Sequence, residues 1–492
     1  FAGSYGPGAT YAWSSAQDNN LLTTSLYTDY FKSFNKNNFK VMVGFNTELY
    51  KQNYVYAKRD DVISDEVPSI DTSMGKDYTS ANKKEWATAG FFGRLNYDYD
   101  GRYLAEINIR YDGSSRFLRD KRWNVFPSFS LGYNIAREAF WEDLSEYVGT
   151  LKPRFSWGKL GNQNTKEFYP FYPSQPLGLK DGKWLIGGQQ PTTATAPLMV
   201  SDLMTWEKIT TTNIGFDFGL FGNHLNGNIN YYINETRDLL ITRRIAPSAG
   251  LDNPTLNVGK MRNQGFELEL NWNDKISDFE YNVGFNISTI ANKVVALANE
   301  DQTIYGVGLK YGTEHFPTQT KVGKPIGAFY LYQADGIFQS LEEVQAHKNS
   351  KGELLQPNAQ PGDVRFKDMN GDGVIDEDDK TYSGTGIAKV EANLNLGASY
   401  KGFDFSAVIG SAFGNKLYNG IRYYYEGMNS ASNFLKTTLN AWTPTNTKTD
   451  IPRAVFGDPN QNTRESTRFL ENGDFVRLRQ VQLGYTLPKA LS

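Results

Sequence analysis

The stretch FEYNVGFNIS, residues 279–288, alternates apolar and polar side chains without a break. The stretch YLAEINIRYD, residues 103–112, largely repeats the pattern. Because successive side chains of a β-strand point to opposite faces, this period of two predicts strands with one apolar and one polar face. Such strands build either a water-soluble sandwich with the apolar face inside, or a membrane barrel with that face toward lipid.

Parity assigns each side chain of residues 279–288 to one face. In a barrel we expect Tyr281, Val283 and Phe285 to face lipid, and Asn282 and Asn286 to face the lumen. In a soluble sandwich the same three apolar side chains would lie in the core instead.

Composition narrows the class of protein. Aromatic residues make up 14% of the 492 residues, which suits the aromatic girdles of a membrane barrel and also a Tyr-rich secreted β protein. A mean hydropathy of -0.53 and the lack of an apolar run of about 18 residues exclude a bundle of membrane helices. The net charge of -3, with no basic block, argues against a nucleic-acid partner. The chain has no cysteine, so it has no disulfide and no thiol chemistry.

Long strands are predicted throughout the chain. A tilted strand needs about 9–11 residues to cross a bilayer, whereas soluble strands average about 5–6 residues. The alternation therefore favours an all-β fold, a large antiparallel transmembrane β-barrel, with about 14 strands in this chain. The predicted strands are 9–17, 20–34, 39–50, 85–99, 103–112, 125–135, 151–160, 207–220, 225–236, 261–272, 279–290, 390–400, 403–411 and 475–487.

The connections between these strands nearly alternate between short turns and long loops. Outer-membrane barrels have this polarity, with short periplasmic turns and long extracellular loops. Two connections depart from it: Asp18-Asn19 is short where a long loop is expected, and 136–150 is long, with a predicted helical turn at 137–141. The short connections are 35–38, 100–101, 221–224, 273–278 and 401–402, and the long loops are 51–84, 161–206, 237–260, 291–389 and 412–474.

Aromatic residues crowd the short-turn end, as pairs that flank four of the turns. They suit a girdle at the membrane interface, and ordinary cross-strand pairing in hairpins is the alternative. The pairs are Phe34 with Phe39, Tyr97 with Tyr103, Trp272 with Phe279, and Tyr400 with Phe403. In the last strand the apolar positions change parity, which predicts a β-bulge near Arg479-Gln480.

Residues 368–379 match a calcium loop of the EF-hand type. Gly373 stands at the sharp turn of the loop, and position 12 is Asp where the EF-hand has a bidentate Glu, as in the dockerin variant. The alternative is an acidic surface turn that binds nothing. The predicted Ca²⁺ ligands are Asp368, Asn370, Asp372, the carbonyl of Val374, Asp376 and Asp379.

No catalytic motif stands out, and we interpret the chain as a protein that is not an enzyme. His224, His315 and His347 lie far apart in sequence and are interpreted as surface or packing residues. A capped helix is predicted from Ser340 to about His347, with Glu343 as its capping-box partner. A second short helix is predicted within 432–442.

Several motifs along the chain resemble the barrel of SusC-like (SusC/RagA-type) TonB-dependent transporters. They keep the order of that family and cover nearly the whole chain. These motifs are FGRLNY (92–97), GRYL (101–104), RYDGSSRF (110–117), FPS (126–128), LKPRFSWGKLGN (151–162), TWEK (205–208), NQGFE (263–267), DGIFQ (335–339), PGD (361–363), FVRLR (475–479) and LGYTLP (483–488).

The resemblance implies a 22-stranded barrel in the outer membrane of a Gram-negative, Bacteroidetes-type bacterium. It also implies an N-terminal plug, a TonB box that couples to the TonB complex, and a SusD-like lipoprotein lid. Residues 1–492 would then be the C-terminal part of the barrel, and 291–389 a long extracellular loop that holds the calcium-type loop. We expect the chain to be a piece of a longer polypeptide, without plug or TonB box.

The resemblance thus implies TonB-energised uptake of oligosaccharides or peptides across an outer membrane. Loops 161–206, 291–389 and 412–474 should form an extracellular platform for the lid. Their aromatic residues would contact the lid, line a sugar site or only pack the loops; these are Trp184, Tyr423, Tyr424, Tyr425 and Trp442. The alternative function is a secreted β-rich carbohydrate-binding or carbohydrate-active protein. The resemblance carries no substrate-binding residue over to this chain, because the binding residues of the family vary with the substrate.

Overall fold

The computed structural model describes residues 10–64, 66–165, 167–172, 177–178, 193–194, 204–243, 253–311, 313–428 and 433–487. Strands dominate these ranges. In chain order they are β1 (Tyr11–Phe34), β2 (Asn37–Asp60), β3 (Asp77–Tyr99), β4 (Tyr103–Ser114), β5 (Trp123–Tyr133), β6 (Val148–Asn162), β7 (Leu177–Gly178), β8 (Thr193–Ala194), β9 (Glu207–Leu220), β10 (Leu225–Thr242), β11 (Thr255–Ile276), β12 (Phe279–Thr289), β13 (Ala291–Ala296), β14 (Ile304–Tyr305), β15 (Leu309–Tyr311), β16 (Thr313–His315), β17 (Thr318–Thr320), β18 (Ala328–Leu331), β19 (Ala334–Ile337), β20 (Val364–Phe366), β21 (Thr381–Tyr382), β22 (Val390–Tyr400), β23 (Phe403–Phe413), β24 (Lys416–Tyr418), β25 (Leu470–Asn472) and β26 (Phe475–Tyr485).

The described helices are all short. Helix α1 (Leu341–Ala346) begins at the predicted cap, where the Ser340 side chain accepts a hydrogen bond from the backbone N–H of Glu343. The helical turn expected around residue 139 is present as two 3₁₀ segments, and the predicted helix within 432–442 is a 3₁₀ segment too. The other helices are α2 (Gly420–Tyr425) and the 3₁₀ segments Ile135–Arg137, Ala139–Leu144, Glu377–Asp379, Lys436–Asn440 and Thr467–Phe469.

The long strands belong to one 14-stranded sheet, in which β13 lies off the main path and pairs with β11. The order along the path is β1-β2-β3-β4-β5-β6-β9-β10-β11-β12-β22-β23-β26. Neighbours in sequence are therefore neighbours in the sheet, as in a meander of hairpins. The total of 14 strands agrees with the prediction, but not strand by strand. Strand β13 was not predicted, and two strands that were predicted separately form a single strand.

That strand is the first one, and here the sequence prediction was wrong. Residues 9–17 and 20–34 were expected as two strands, but β1 runs unbroken from Tyr11 to Phe34. Asp18 and Asn19 do not turn, because they stay in the ladder opposite Asn53 and Gln52 of β2. With this connection removed, the alternation of short turns and long loops becomes more regular.

The loop predicted at 51–84 is also much shorter than expected. Strand β2 continues to Asp60 and β3 begins at Asp77, so the connection is only 61–76. Likewise β10 and β11 extend into the predicted loop 237–260, which leaves 243–254 between them. These segments were predicted as loops because they are polar and lack a clear alternation of apolar residues. In the structure, pairing with neighbouring strands keeps them extended.

Two of the short turns are tight and need left-handed backbone. Asp100 and Gly101 have φ values of 56° and 66°, and Lys401 and Gly402 have values of 46° and 89°. Two consecutive positive φ angles are the mark of the type I′ turn, whose twist matches that of the flanking strands. Gly at the second position removes the steric cost of that conformation.

Residue contacts divide the chain into two compact units. One unit comprises Phe1–Asn134, Arg154–Thr212 and Thr236–Gly259, and the other Ile135–Pro153, Asn213–Glu235 and Lys260–Ser492. The first unit has a buried cluster of Phe117, Phe126, Met204 and Trp206. The second has two: Tyr332, Val364 and Phe366, and Phe338, Val344 and Ala359. These clusters lie near the long-loop ends of the strands, away from the alternating segments.

Candidate functional site

The apolar face of the first unit forms a band of limited height. On β2 it consists of alternate residues from Phe39 to Leu49, and the next residue on that face is Lys51, which pairs with Asn20 and Glu85. The band thus covers residues 39–49, which agrees with the roughly 9–11 residues that a tilted strand needs to cross a bilayer.

This band is exposed rather than packed into a core. Its side chains on β1 to β5 remain open in the described structure, among them Leu26, Val43, Phe91, Ile107, Ile109 and Leu131. A contiguous apolar surface of this extent marks a membrane or protein contact. The result contradicts a soluble sandwich, which would bury these side chains.

In the second unit the predicted parity of β12 is confirmed. Val283 lies opposite Trp272 and Leu396, and Asn286 lies on the other face, where its Oδ1 accepts a hydrogen bond from Asn393 Nδ2 at 2.9 Å. The predicted bulge is present as well: Val408 pairs with Gln480 while Ile409 pairs with Leu478, so Arg479 is the extra residue.

The polar face of the second unit is rich in amides and small residues. Asn282 lies opposite Gly397, and Gly284 lies between Asn271 and Asn395. An open pocket of about 770 Å³ lies on this face near the short turns. Its polar lining residues include His224, Asp274, Lys275, Glu280, Asn282, Asn395, Asp404 and Gln482.

Aromatic rings at the short-turn end pair across strands, and of the predicted pairs Phe34 and Phe39 stack with ring centroids 5.5 Å apart. In the first unit the rings of Phe39 and Tyr97 are 4.8 Å apart. In the second unit those of Phe403 and Tyr485 are 4.5 Å apart. Cross-strand pairing is therefore present, and among these rings Phe34, Phe403 and Tyr485 are also exposed, as a girdle requires.

The long loops of the second unit fold into an ordered layer. Gly362, with a φ of 94°, packs against Trp442, where a Cβ would clash with the indole ring. Next to it, the fully buried carboxylate of Asp363 accepts two hydrogen bonds from Arg453, at 2.8 and 3.0 Å. These contacts join the loops 291–389 and 412–474, and they explain why glycine and aspartate stand at positions 362 and 363.

A second polar cluster joins the same two loops. Glu465, 5% exposed, accepts hydrogen bonds from Lys380 and contacts the Nδ1 atom of His315. Burial opposes ionisation of this carboxyl, but the hydrogen bonds from His315 and Lys380 lower its pKa to about 2. His315 is therefore a partner in a buried network. Nothing in the local sequence signalled this role, because the partners come from distant segments.

We expect this cluster to make the loop layer acid-sensitive. Since the pKa of Glu465 is lower in the folded state, its ionised form contributes stability above pH of about 4.5, and that contribution is lost as the pH falls toward about 2. Protease resistance of the loops, measured against pH, should decline over this range. Glu465→Gln should be less resistant at neutral pH and should show a flatter profile; parallel profiles would contradict the assignment.

The predicted calcium ligands lie in one continuous loop. The carboxylate of Asp368 accepts hydrogen bonds from the N–H groups of Gly371 and Gly373, and that of Asp372 accepts one from Val374. The buried Asp379 accepts from the N–H groups of Met369 and Asp376. In these described residues, as elsewhere in the described ranges, no three His, Asp or Glu side chains are grouped closely enough to hold a metal ion.

The aromatic residues of the loops separate into two groups. Tyr423 is fully buried, and Trp442 is buried with its Nε1 donating to Gln339 Oε1 at 3.0 Å, so both pack the loop layer. Tyr424 packs edge-on against Tyr423. Tyr425 is exposed and is available to a partner. Trp184 lies outside the described residues.

In the first unit, the segment Thr205-Trp206-Glu207-Lys208 anchors the neighbouring connections. Trp206 packs against Phe117 and Phe126, and its Nε1 donates to the backbone carbonyl of Arg122 at 2.9 Å. Glu207 accepts hydrogen bonds from Asn162 Nδ2 and from the backbone N–H of Leu240. The motif therefore serves packing and hydrogen bonding.

No helix within the described ranges is long and apolar enough to cross a membrane. Strands with an exposed apolar band on one face, amides on the other and loops concentrated at one end define an outer-membrane β-barrel protein. Residues 2–491 match the family "TonB dependent receptor-like, beta-barrel", and the chain belongs to this family.

The relatives agree with this assignment. The chain is 28% identical over 468 residues to the TonB-dependent receptor P3 of Formosa agariphila. This match covers 94% of the chain and 45% of that protein. It is 28% identical over 475 residues to the TonB-dependent receptor SusC of Bacteroides thetaiotaomicron. This match covers 94% of the chain and 44% of SusC. The chain thus spans less than half the length of these relatives.

Among solved structures, the RagAB peptide transporter matches with a TM-score of 0.79 at 22% identity, over 98% of this chain and 50% of that one. This likeness confirms the fold. The predicted SusC/RagA-type family, the β-barrel fold class and the outer-membrane location in a Bacteroidetes-type bacterium are all confirmed. The relatives are receptors and transporters, in agreement with a protein that is not an enzyme.

Proposed function

We propose that the protein takes up oligosaccharides or peptides across the outer membrane, driven by the TonB complex and assisted by a SusD-like surface lipoprotein. The observation that carries the proposal is the combination of an apolar band of membrane-crossing length with an ordered loop layer, in a chain of this family. The band places the strands in lipid, and the amide-rich face then lines the lumen.

The lumen wall suits passage of a polar solute. Side-chain amides such as those of Asn286 and Asn393 offer both donors and acceptors, and several wall positions are glycine or serine. Neutral amides bind polar groups without the strong desolvation cost of buried charge. Movement of a solute along such a wall exchanges one hydrogen bond for another.

The loop layer supports the proposed lid. Buried pairs such as Asp363 with Arg453 hold the loops 291–389 and 412–474 in one arrangement before any partner arrives. A surface that is ordered in advance loses less conformational entropy on binding. A lid lipoprotein would therefore find a preformed platform, with Tyr425 among its exposed aromatic residues.

Native membranes provide the test of this function. The protein should co-purify in mild detergent with a SusD-like lipoprotein, and uptake should stop when TonB is deleted or a protonophore is added. A transporter that always purifies alone would contradict the lid, and uptake that persists without TonB would contradict the energy source.

We also propose that the loop at 368–379 binds one Ca²⁺ that stabilises the loop layer. The six ligand positions follow the EF-hand order, and Gly371 and Gly373 adopt the positive φ angles that the turn requires. The loop leads directly into Lys380, whose Nζ binds Glu465, so an ordered loop would fix one side of that cluster. The ion would have a structural role.

Double substitution tests the calcium loop. Asp368→Ala combined with Asp372→Ala should abolish Ca²⁺ uptake in calorimetry and increase protease cleavage within 291–389. Asp335→Ala, a change of one exposed carboxylate outside the loop, serves as the control. If the wild-type protein takes up no calcium at millimolar concentrations, the proposal is wrong.

A further inference from the structure

Strands β1, β2 and β3 continue well beyond the apolar band. Above the row of Asn20, Lys51 and Glu85 they remain paired as a ribbon, which we define as residues 11–21, 50–60 and 78–86. From Tyr50 to Lys58 this outer ribbon rises about 26 Å along β2. It therefore presents a long surface on the side of the long loops.

One face of the outer ribbon carries regularly spaced aromatic rings. On β2 these are Tyr50, Tyr54 and Tyr56, and the register adds Trp86 beside Tyr50 and Tyr78 beside Lys58. This face continues the polar face of the strands, because it has the parity opposite to that of Lys51 and Leu49. Under the proposed function it thus lies at the outer entrance to the lumen.

The rings form two flat platforms, and the one at Trp13 remains open. The ring centroids of Trp13 and Tyr56 are 6.3 Å apart with planes at 28°, and Trp13 is 58% exposed. Those of Tyr50 and Trp86 are 5.7 Å apart at 17°. Stacking across strands fixes the orientation of the rings. Phe168 packs edge-on against Tyr50, and the Arg116 guanidinium lies 5.1 Å from the centre of the Trp86 ring, so the Trp13 side is the open one.

Amide groups lie between the two aromatic platforms. Asn19 Oδ1 accepts hydrogen bonds from Gln52 Nε2 at 3.2 Å and from Gln17 Nε2 at 3.1 Å. Tyr54 stands in the next row, between Gln17 and Asn82. The face therefore alternates ring surfaces with groups that both donate and accept hydrogen bonds.

Two lysines on this face are paired with carboxylates. Lys58 Nζ lies 2.9 Å from the carboxylate of Asp60 and 4.4 Å from the centre of the Tyr11 ring. Lys84 Nζ lies 3.9 Å from the carboxylate of Glu167. A ligand that depends on its own charge would have to break these pairs, whereas a neutral ligand would not.

We propose that this face of the outer ribbon, from Tyr50 to Trp13, is a binding track for a neutral, linear oligosaccharide. The proposal rests on the uptake function above and selects its substrate class. A pyranose ring has an apolar C–H face, which packs on an aromatic ring, and a rim of hydroxyls, which need amide partners. A surface of alternating rings and amides meets both needs for several consecutive sugar units.

The test uses the full-length protein with its native partner in detergent. Binding of maltohexaose, cellohexaose, mannohexaose and xylohexaose is measured by calorimetry, with tryptic peptides of casein as a second class of ligand. We expect at least one oligosaccharide to bind, with affinity that rises with chain length. Trp13→Ala and Tyr54→Ala should each weaken that binding about ten-fold.

Val55→Ala is the matched control, because Val55 is an exposed residue of the same ribbon on the opposite face. It should leave the affinity within about two-fold of wild type. Wild-type affinity in both aromatic variants, binding of peptides alone, or no binding of any of the four oligosaccharides would overturn the track. TonB-dependent uptake that continues in those cases would leave the proposed transport function intact.

Discussion

Val283→Arg should destabilise the protein by about 2–4 kcal/mol in a folding titration into lipid vesicles. Val283 is the middle residue of the five apolar side chains on its face of β12, and it is 36% exposed. On this face it is flanked by Trp272 and Leu396, which are equally apolar. A guanidinium at this depth would have to enter hydrocarbon, or the strand would have to shift to bring it to the interface.

Asn282→Arg is the matched control, one residue away on the polar face. Its partner across the ladder is Gly397, and the lumen side gives the new charge access to water. We expect a small effect there, with a clear difference between the two variants. If Asn282→Arg were the more harmful change, the sheet would be packed as in a soluble protein.

Much of the fold could be predicted because the strands show a local alternation of apolar and polar residues. The strand at residues 207–220 was placed correctly to the residue, and the bulge at Arg479 followed from a change of parity. Both depend only on which side chains face lipid, because every second residue of a membrane-crossing strand must be apolar. This requirement holds along the whole membrane-crossing part of each strand, so the pattern is strong.

The prediction of strand ends failed beyond the apolar band, where alternate residues no longer need to be apolar. Residues 51–60 lie above the apolar band and contain a mixture of charged, amide and tyrosine side chains that resembles a loop. They are held extended by pairing with β1 and β3, whose partners lie up to about fifty positions away. Such pairing leaves no local signal in the sequence, and this is why the outer ribbon was missed.

The candidate functional residues likewise divide into those with a local sequence signal and those without one. The calcium-type loop could be identified because its ligands lie within twelve consecutive positions, although its metal binding remains a prediction. The buried pair of Asp363 and Arg453 could not, because 90 positions separate its members. The exposed aromatic track depends on register between three strands, which only the structure provides.

Asp363→Ala should loosen the loop layer without affecting the membrane-crossing strands. The Asp363 carboxylate is fully buried and accepts hydrogen bonds from Arg453, from Asn462 Nδ2 and from the backbone N–H of Gln360. Its removal leaves the buried Asn462 amide and the partly exposed Arg453 guanidinium without their partner, which costs about 3 kcal/mol. That cost should appear as faster amide hydrogen exchange in residues 328–366, while the strands β22 and β23 keep their protection.

Arg365→Ala provides the comparison, because Arg365 pairs with Asp335 at the surface, with side chains 33% and 45% exposed. Exposed pairs contribute about 0–1 kcal/mol, so exchange in the same segment should change little. Each variant removes one ion pair from the same loop, but Asp363→Ala removes a buried one together with the hydrogen bonds from Asn462 and Gln360. Equal effects on exchange would mean that the layer does not depend on the buried pair, and the preformed platform proposed for the lid would lose its main support.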